Sequence, residues 1–152
     1  MAGVIDTNLL LYAANAEAAE HAAAHRFLTA AGRSADRWYL TEGILYEFLR
    51  VATHPRVFPR PLSKPQVIEF LHPLWSGSVF TVLTAGDRHW ELLQAELGSL
   101  AHPSGNLFFD IRTVVLMREH GVRSIYTADV DFLQFKDIEV INPLSGGGKS
   151  GR

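Results

Sequence analysis

Four carboxylates in this 152-residue chain stand where they could act together on a substrate. Asp6 ends a short apolar run and Asp129 follows another, while Glu47 and Asp110 lie in segments with helical periodicity. Like charges that converge in a partly buried pocket raise one another's pKa, and a hard divalent cation relieves that conflict. Mg²⁺ suits such a set, and Mn²⁺ fits the same oxygen ligands.

The chemistry that four acids around a hard cation favour is phosphoryl transfer on a nucleic acid. One metal ion lowers the pKa of a bound water and so makes the nucleophile, and a second, where present, stabilises the leaving oxygen. The chain has no Cys and no Ser-His-Asp elbow that would compete as the catalytic set. The acids are therefore the main chemical signal of the sequence.

The elements that must position these acids alternate between strands and helices. The apolar patterns predict strands over residues 4–5, 38–40, 79–83, 124–127 and 138–141. They predict helices over residues 9–30 (in two pieces), 41–52, 63–75, 89–100 and 107–120. Gly32 and Gly121 are expected to end the first and last of these, and Thr41 and Asp87 to cap the second and fourth. This order predicts a three-layer α/β/α sandwich on a mainly parallel sheet of about five strands, whose carboxyl edge gathers the acids.

Two of the acids allow a structural interpretation beside the functional one. Asp6 either faces a site, with Thr7 or Asn8 capping the first helix, or caps that helix itself. Glu47 is predicted on the buried side of its helix, three residues after Ile44, where it needs a partner. That partner is either an internal arginine or something that enters the site.

Composition and charge limit the class of protein to which this chain can belong. The chain is 47% hydrophobic and 20% charged, with a net charge of −2, so it lacks the basic balance of a protein that holds nucleic acid by bulk charge. Residues 1–144 are expected to form one domain, and the apolar-free end of the chain, 145–152, a flexible tail. No apolar run approaches the roughly 20 residues of a membrane span, so the expected location is the cytoplasm, with no membrane partner.

Two other patterns carry little weight. His21 and His25 are spaced as a pair of zinc ligands on a helix, but no third ligand accompanies them. Residues 148–150, Gly-Lys-Ser, look like the end of a phosphate-binding loop, but Pro143 stands where that loop needs glycine.

Taken as a set, the acid-bearing segments resemble a known family. Residues 3–13, GVIDTNLLLYA, resemble the opening of a PIN domain, in particular of a VapC-type toxin ribonuclease. Glu47 in YEFLRV and Asp110 in GNLFFDIR match the second and third acidic segments of that family. Asp129 in TADVDF and the closing segment INPL match the fourth acid and the last strand, so that the resemblance covers residues 3–144.

The resemblance implies a Mg²⁺-dependent endoribonuclease that acts on RNA, forms a homodimer and is blocked by a cognate VapB-type antitoxin. Asp6, Glu47, Asp110 and Asp129 would be its catalytic acids, with Asp6, Asp110 and Asp129 as metal ligands. Thr7 and Asn8 would orient Asp6 or substrate, and Asp131 would assist through an outer-shell water or simply cap the next turn.

Two residues depart from the pattern of these toxins. Phe109 precedes Asp110 where a small polar residue or His is common, and Val130 separates Asp129 from Asp131 where a basic residue is frequent. Four arginines flank the acid-bearing segments and are expected either to contact the RNA backbone or to be ordinary surface charges: Arg50, Arg56, Arg60 and Arg112. The apolar residues of the middle helices, among them Leu45, Phe70 and Trp75, are expected to be mostly core, with an exposed patch for a partner as the alternative.

Three alternatives stay open. A PIN-type RNA-processing nuclease would have the same acids but no antitoxin. A phosphoacceptor switch domain also gathers acids around Mg²⁺, but it needs a lysine after a strand, and only Lys64, Lys136 and Lys149 are present. A catalytically silent binding domain would retain the cluster of acids at an electrostatic cost.

Overall fold

A computed structural model describes residues 2–145; the predicted tail beyond Ser145 lies outside the described residues. Five strands form one sheet in the order β3-β2-β1-β4-β5, and every neighbouring pair is parallel. The strands are β1 Val4–Ile5, β2 Trp38–Thr41, β3 Phe80–Leu83, β4 Ser124–Tyr126 and β5 Glu139–Ile141. The predicted α/β/α fold with a five-stranded parallel sheet is confirmed.

Six helices connect these strands, because parallel neighbours require crossover connections. They are α1 Thr7–Ala14, α2 His21–Arg33, α3 Glu42–Ala52, α4 Lys64–Ser76, α5 His89–Ser99 and α6 Leu107–Glu119. A single turn of 3₁₀ helix, Asp131–Gln134, follows β4. In the described chain no helix is both long and apolar enough to cross a membrane.

The helix starts and stops follow local capping chemistry where the sequence signals were strongest. The Thr41 hydroxyl accepts the Ile44 N–H at 3.1 Å and begins α3, and Ser63 and Gln66 form a capping box at the start of α4. Gly121, with φ +67°, ends α6 in the left-handed conformation that favours glycine. These three predictions are confirmed.

One local prediction was open between two alternatives, and two are wrong. Asp6 is the N-cap of α1, which begins at Thr7, so the alternative in which Asp6 caps the helix holds and the one with Thr7 or Asn8 does not. Gly32 lies inside α2, since its backbone remains helical to Arg33. Arg88, not Asp87, precedes α5, and Glu119 of α6 binds the Gly86 N–H at that helix start instead.

The core lies between the sheet and its helices, and strands β1 and β4 pass through its centre. Val4, Ile5 and Ile125 have no exposed surface, as expected for strands covered on both faces. The apolar residues of the middle helices are mostly core: Leu45 is fully buried and Phe70 stacks on Phe48, although Trp75 remains 40% exposed. This burial places β1 and β4 rigidly beside one another, and their carboxyl ends carry the candidate site.

Candidate active site

Asp6 follows directly after β1, at the carboxyl edge of the sheet. Its backbone N–H donates to the Tyr126 carbonyl at 3.0 Å, which extends the pairing with β4 by one residue. Its Oδ1 accepts the Thr7 N–H at 2.8 Å and its Oδ2 accepts the Thr127 hydroxyl at 2.8 Å. Asp6 is only 8% exposed, so it both caps α1 and faces the site, and the two interpretations of its role are compatible.

Asn8 and Thr127 join the ends of β1 and β4 in one hydrogen-bond network. Asn8 Nδ2 donates to Asp6 Oδ2 at 3.1 Å and to Thr127 Oγ1 at 3.0 Å, and Asn8 Oδ1 accepts the Ala128 N–H at 3.1 Å. Thr127 Oγ1 in turn accepts the Asp129 N–H at 3.0 Å. The network fixes the position of Asp6 relative to Asp129.

Asp110, Asp129 and Asp131 converge most closely. One carboxylate oxygen of each lies within 4.8 Å of an oxygen of the other two, which is the spacing of ligands around a shared ion. Asp110 and Asp129 are half-buried, and Asp131 is exposed. This group includes Asp110 and Asp129 of the expected metal ligands and adds Asp131, while the role of Asp6 as a ligand stays a prediction.

A tight turn brings Asp131 into this group. Asp129 Oδ1 accepts the Asp131 N–H at 2.9 Å, so the side chain of one acid fixes the backbone of the next. The 3₁₀ helix begins at Asp131 and directs its carboxylate back toward Asp110. The outer-shell or turn-capping role expected for Asp131 stays a prediction, and this geometry also allows a direct contact with an ion.

Glu47 is exposed, so its predicted burial is wrong. The buried face of α3 carries Leu45, Phe48 and Ala52, and at about 100° per residue Glu47 points away from the centre of that face. Its Oε2 nevertheless accepts the Thr7 hydroxyl at 3.0 Å. Thr7 therefore connects Glu47 to the start of α1, and the fourth acid lies at the rim of the site rather than inside it.

The electrostatics connect Asp110 to the other four acids. Burial, together with the charges of Asp6, Asp129, Asp131 and Glu47, raises the pKa of Asp110 to about 7. Burial likewise raises the pKa of Asp6 to about 6, although the hydrogen bonds from Thr127 and the Thr7 N–H oppose the rise. In the described chain no lysine or arginine forms an ion pair with any of the five.

The four arginines occupy different surroundings. The Arg112 guanidinium lies over the start of α3: a Cβ at Gly43 would be 2.5 Å from its Nη1, so this approach requires glycine. Arg50 is exposed on α3, and Arg56 lies in the exposed connection after that helix. Arg60 pairs with Glu17 at 3.0 Å on the surface. Only Arg112 is placed by the structure beside an acid-bearing helix start.

Comparison with known proteins identifies the family. The PIN domain family model matches residues 3–138. Ribonuclease VapC33 of Mycobacterium tuberculosis is 32% identical over 145 residues, covering 91% of this chain and 96% of that protein. Ribonuclease VapC48 of the same species is 29% identical over 150 residues, covering 96% and 100%. The chain belongs to the PIN-domain family.

Solved structures of VapC proteins share its fold. The crystal structure of Mycobacterium tuberculosis VapC20, a toxin that cleaves the sarcin-ricin loop, superposes with a TM-score of 0.62 at 18% identity, covering 88% of this chain and 93% of that one. Rickettsia felis VapBC2, bound to a DNA fragment from its promoter, gives a TM-score of 0.65 at 13% identity, covering 92% and 97%. The resemblance to VapC-type PIN domains is confirmed, and PIN domains are nucleases.

Within this PIN domain the sequence did not single out Thr127. Its hydroxyl contacts Asp6, Asn8 and the Asp129 N–H, so it joins two of the acids directly. The signal that could have revealed it is its position, two residues before an acid at the end of a buried strand, where Ser and Thr side chains often bind nearby backbone. Its contact with Asp6, 121 residues away in sequence, depends on the pairing of β1 with β4.

Proposed function

We propose that this PIN domain is a Mg²⁺-dependent endoribonuclease that hydrolyses phosphodiester bonds in RNA and serves as the toxin of a VapBC pair. The observation that supports this most is that four other acids act on Asp110 while no described lysine or arginine forms an ion pair with any of the five. Such a set of oxygen donors fits a hard divalent ion, and leaving it uncompensated is unfavourable. Mn²⁺ is expected to substitute for Mg²⁺.

Asp110, Asp129 and Asp131 are the residues that would hold the ion, with Asp6 next to them. When bound, the ion would activate a water and stabilise charge on the phosphate. The fit rests on donor chemistry, since three carboxylates within 4.8 Å offer only oxygen ligands. The raised pKa of Asp110 points the same way, because a nearby positive charge is what restores a carboxylate to its ionised form.

Asp6 and its network are proposed to set the geometry of the catalytic acids. Thr127 and Asn8 donate to Asp6 Oδ2 at 2.8 and 3.1 Å, which leaves Asp6 a limited choice of orientation. Thr7 holds Glu47 at the opposite rim, where its exposed carboxylate can receive a proton from water or substrate. The predicted orienting roles of Thr7 and Asn8 follow from these contacts.

The RNA backbone is proposed to lie along the start of α6. Arg112 follows Asp110 by two residues, and its guanidinium can contact a phosphate while the acids hold the metal. Arg50 and Arg56 would extend this contact from α3 and its following loop. Arg60 is a weaker candidate, because it already pairs with Glu17.

The partners follow from the family. VapC33 and VapC48 carry the name ribonuclease, and one structural neighbour is a VapBC2 bound to a DNA fragment from its promoter. We therefore propose a VapB-type antitoxin as the inhibitor, a homodimer as the assembly, and the cytoplasm as the location of the protein. An RNA-processing nuclease without an antitoxin has the same site, so co-expression with a neighbouring gene distinguishes the two.

Incubation of the purified protein with total bacterial RNA tests the proposed function. We expect discrete cleavage products with Mg²⁺ or Mn²⁺ and none with EDTA. Asp110→Asn should abolish the products, because it removes a metal ligand while preserving the size of the side chain. Glu91→Gln is the matched control, since it makes the same chemical change in an exposed ion pair with Arg88 on α5.

Cleavage that persists in EDTA, or that Asp110→Asn leaves unchanged, would contradict the proposed mechanism. Mapping the RNA ends also identifies the cut sites. These sites supply the short substrates needed for measurements of rate.

A further inference from the structure

Exposed apolar side chains border the acid cluster on two elements. On α6, Phe109 is 66% exposed and stands directly before Asp110. After β4, Val130 is 70% exposed and stands between Asp129 and Asp131. We call Phe109 and Val130 the apolar rim. Apolar groups of this size gain free energy by leaving water, so a ligand held at the neighbouring acids would be stabilised by covering them.

The backbone beneath the rim is held in place. The Phe109 N–H donates to the Asn106 carbonyl at 3.1 Å, and the Phe109 carbonyl accepts the Thr113 hydroxyl at 3.3 Å. Val130 is fixed by the turn in which Asp129 binds the Asp131 N–H, and its own carbonyl accepts the Leu133 N–H at 3.0 Å. The rim is thus presented by ordered segments rather than by a collapsed loop.

Phe109 also differs from Tyr46, the exposed aromatic residue that precedes the acid Glu47. Tyr46, before Glu47, packs edge-to-face on Trp75 with ring centroids 6.1 Å apart. Phe109 has no ring neighbour within the part of the chain that the structure describes. Its face is therefore available to a planar group.

The acid cluster indicates which class of planar group would bind there. The cluster and its ion can position a phosphate, but they give no affinity for a base, and the chain's net charge of −2 gives little general attraction to RNA. Affinity must then come largely from contacts near the site, and stacking of unpaired bases on aromatic rings is the contact that RNA offers most readily. A base attached to a phosphate at the cluster has the rim as its neighbouring surface.

We propose that Phe109, which directly precedes Asp110, is the stacking face for an unpaired base next to the scissile phosphate. The inference rests on the proposed ribonuclease function and adds a substrate-binding residue to it. Paired bases in an A-form helix are stacked on each other and cannot reach the ring. Phe109 is thus a substrate-binding residue, not a metal ligand.

The test uses the full chain and a short RNA that spans a mapped cut site. The RNA is prepared as a single strand, as a duplex, and with an abasic nucleotide on either side of the cut. Stacking on one ring contributes enough that Phe109→Ala should lower kcat/KM on the single strand by roughly 5- to 150-fold. Phe109→Trp should stay close to the unchanged protein, and the duplex should be a poor substrate for all variants.

Trp90→Ala is the control for loss of an exposed aromatic ring. Trp90 is 65% exposed on α5, beside His89, which binds Glu119 at the far end of α6. Glu119 is nine residues from Asp110, about 14 Å along the helix. Trp90→Ala should therefore leave kcat/KM unchanged, and Mn²⁺ affinity should be unchanged in every variant.

The abasic substrates decide between stacking and a general effect. If Phe109 stacks on one base, removing that base should reduce cleavage by the unchanged protein to the level of Phe109→Ala and reduce the variant no further. The inference is overturned if removing the base and removing the Phe109 ring each reduce cleavage independently. It is also overturned if Phe109→Ala and the unchanged protein cleave the intact RNA equally. A change in oligomeric state by light scattering, with the same loss on intact and abasic RNA, would assign the rim to a protein contact and also overturn it.

The outcomes for the two proposals are separate. If the unchanged protein cleaves no RNA with Mg²⁺ or Mn²⁺, the proposed ribonuclease function fails. If it cleaves RNA and only the Phe109 comparison fails, the nuclease site stands and the stacking face is wrong.

Discussion

Two regions of the molecule bring carboxylates out of water, and they differ in what compensates them. Between α5 and α6, Arg118 binds Glu96 through Nε at 2.6 Å and Nη2 at 3.2 Å, and it also donates to the Lys136 carbonyl at 2.8 Å. At the carboxyl edge of the sheet, five acids face one another, and within the described chain no arginine or lysine pairs with them. The first arrangement is complete within the protein, and we propose that a cation from outside completes the second.

The pKa shifts at the carboxyl edge contrast in the same way with that of a second compensated acid, Glu119, which follows Arg118 on α6. Burial alone would raise the pKa of Glu119 on α6, but hydrogen bonds from His89 and the Gly86 N–H lower it. Burial and neighbouring acids raise those of Asp6 and Asp110 instead. A buried acid therefore indicates a functional site only when its partners fail to stabilise its charge. Glu96, which is 5% exposed, is more deeply buried than Asp110 and yet is structural.

The largest expected effect concerns the compensated region. Arg118→Met should lower the free energy of unfolding by about 3 to 5 kcal/mol, because it leaves Glu96 as an unpaired buried charge. The double variant Glu96→Leu/Arg118→Met should recover most of this loss. Urea denaturation measures both, and RNA cleavage per folded molecule should be unchanged. If Arg118→Met is as stable as the unchanged protein, the Arg118–Glu96 ion pair does not compensate a buried charge and the contrast between the two regions fails.

At the carboxyl edge of the sheet, a substitution should reduce RNA cleavage without lowering the free energy of unfolding. Asp129→Asn should reduce RNA cleavage by at least about a hundredfold, a loss comparable to removing one key stabilising group from an active site. Stability without metal should not fall, because the substitution removes one of several repelling charges. Initial rates on a mapped RNA substrate, beside urea denaturation in EDTA, check the two parts. A large loss of stability with unaltered activity per folded molecule would place Asp129 with Glu96 as a structural acid.

The third prediction uses the raised pKa of Asp6. Between its ordinary value of 3.8 and about 6, folded Asp6 keeps a proton that the unfolded chain has released. Folding stability attributable to this group therefore falls as the pH rises through that window, and the cost is fully present above it. Asp6→Asn removes that cost, so in EDTA it should stabilise the protein by about 1 to 3 kcal/mol at pH 8 and by less at pH 5.

Paired denaturation curves at the two pH values isolate Asp6 from the other titrating groups. Thr127→Val provides a useful comparison, because it removes the hydroxyl that donates to Asp6 Oδ2 while keeping a similar shape. A stabilising effect of Asp6→Asn that is larger at pH 5 than at pH 8 would contradict the assigned direction of the shift.

The smallest expected effect comes from displacing the Arg112 side chain. Gly43→Ala should displace the Arg112 guanidinium from the start of α3, because the new Cβ would lie 2.5 Å from Nη1. Arg112 is flexible and exposed, so stability should change by no more than about 1 kcal/mol, and Ala in a helix can raise it. If Arg112 contacts the RNA backbone, cleavage should fall several-fold, by about 3- to 10-fold, with the change mainly in KM.

Gly98→Ala is the matched control for this substitution. Gly98 also lies in a helix, α5, and a Cβ there meets nothing within 4 Å. It should show the same helix-propensity effect without a change in KM. Equal kinetics for the two alanine variants would remove Arg112 from the substrate contact.

Most of the fold was predictable because its signals are local. Apolar runs bounded by caps defined the strands and helices, and Thr41, Ser63 and Gly121 act as the sequence predicted. The parallel order then required the strand ends to meet at one edge, which placed Asp6 and Asp129 near each other. Gly32 and Asp87 were misjudged because a residue type that often ends or caps a helix does so only when no other group competes.

The details of the site were less predictable because they depend on tertiary contacts. Thr127 joins Asp6 only through the pairing of β1 with β4, and Asp131 reaches Asp110 only through the turn that Asp129 stabilises. Glu47 was expected to be buried from its distance to Ile44, but the buried face of α3 is centred on other residues. Spacing along one helix predicts a face, while the rotation of that face is set by what packs against it.

Metal binding by the folded protein tests most directly whether an external cation completes the carboxyl edge. Melting temperature is measured at pH 8 with increasing Mg²⁺ or Mn²⁺ for the unchanged protein, Asp110→Asn and the Glu96→Leu/Arg118→Met double variant. We predict a saturable increase of about 5 to 10 °C at a hundredfold excess over Kd in the unchanged protein and the double variant, and little or none in Asp110→Asn. No increase in the unchanged protein, or an equal increase in Asp110→Asn, would contradict the account.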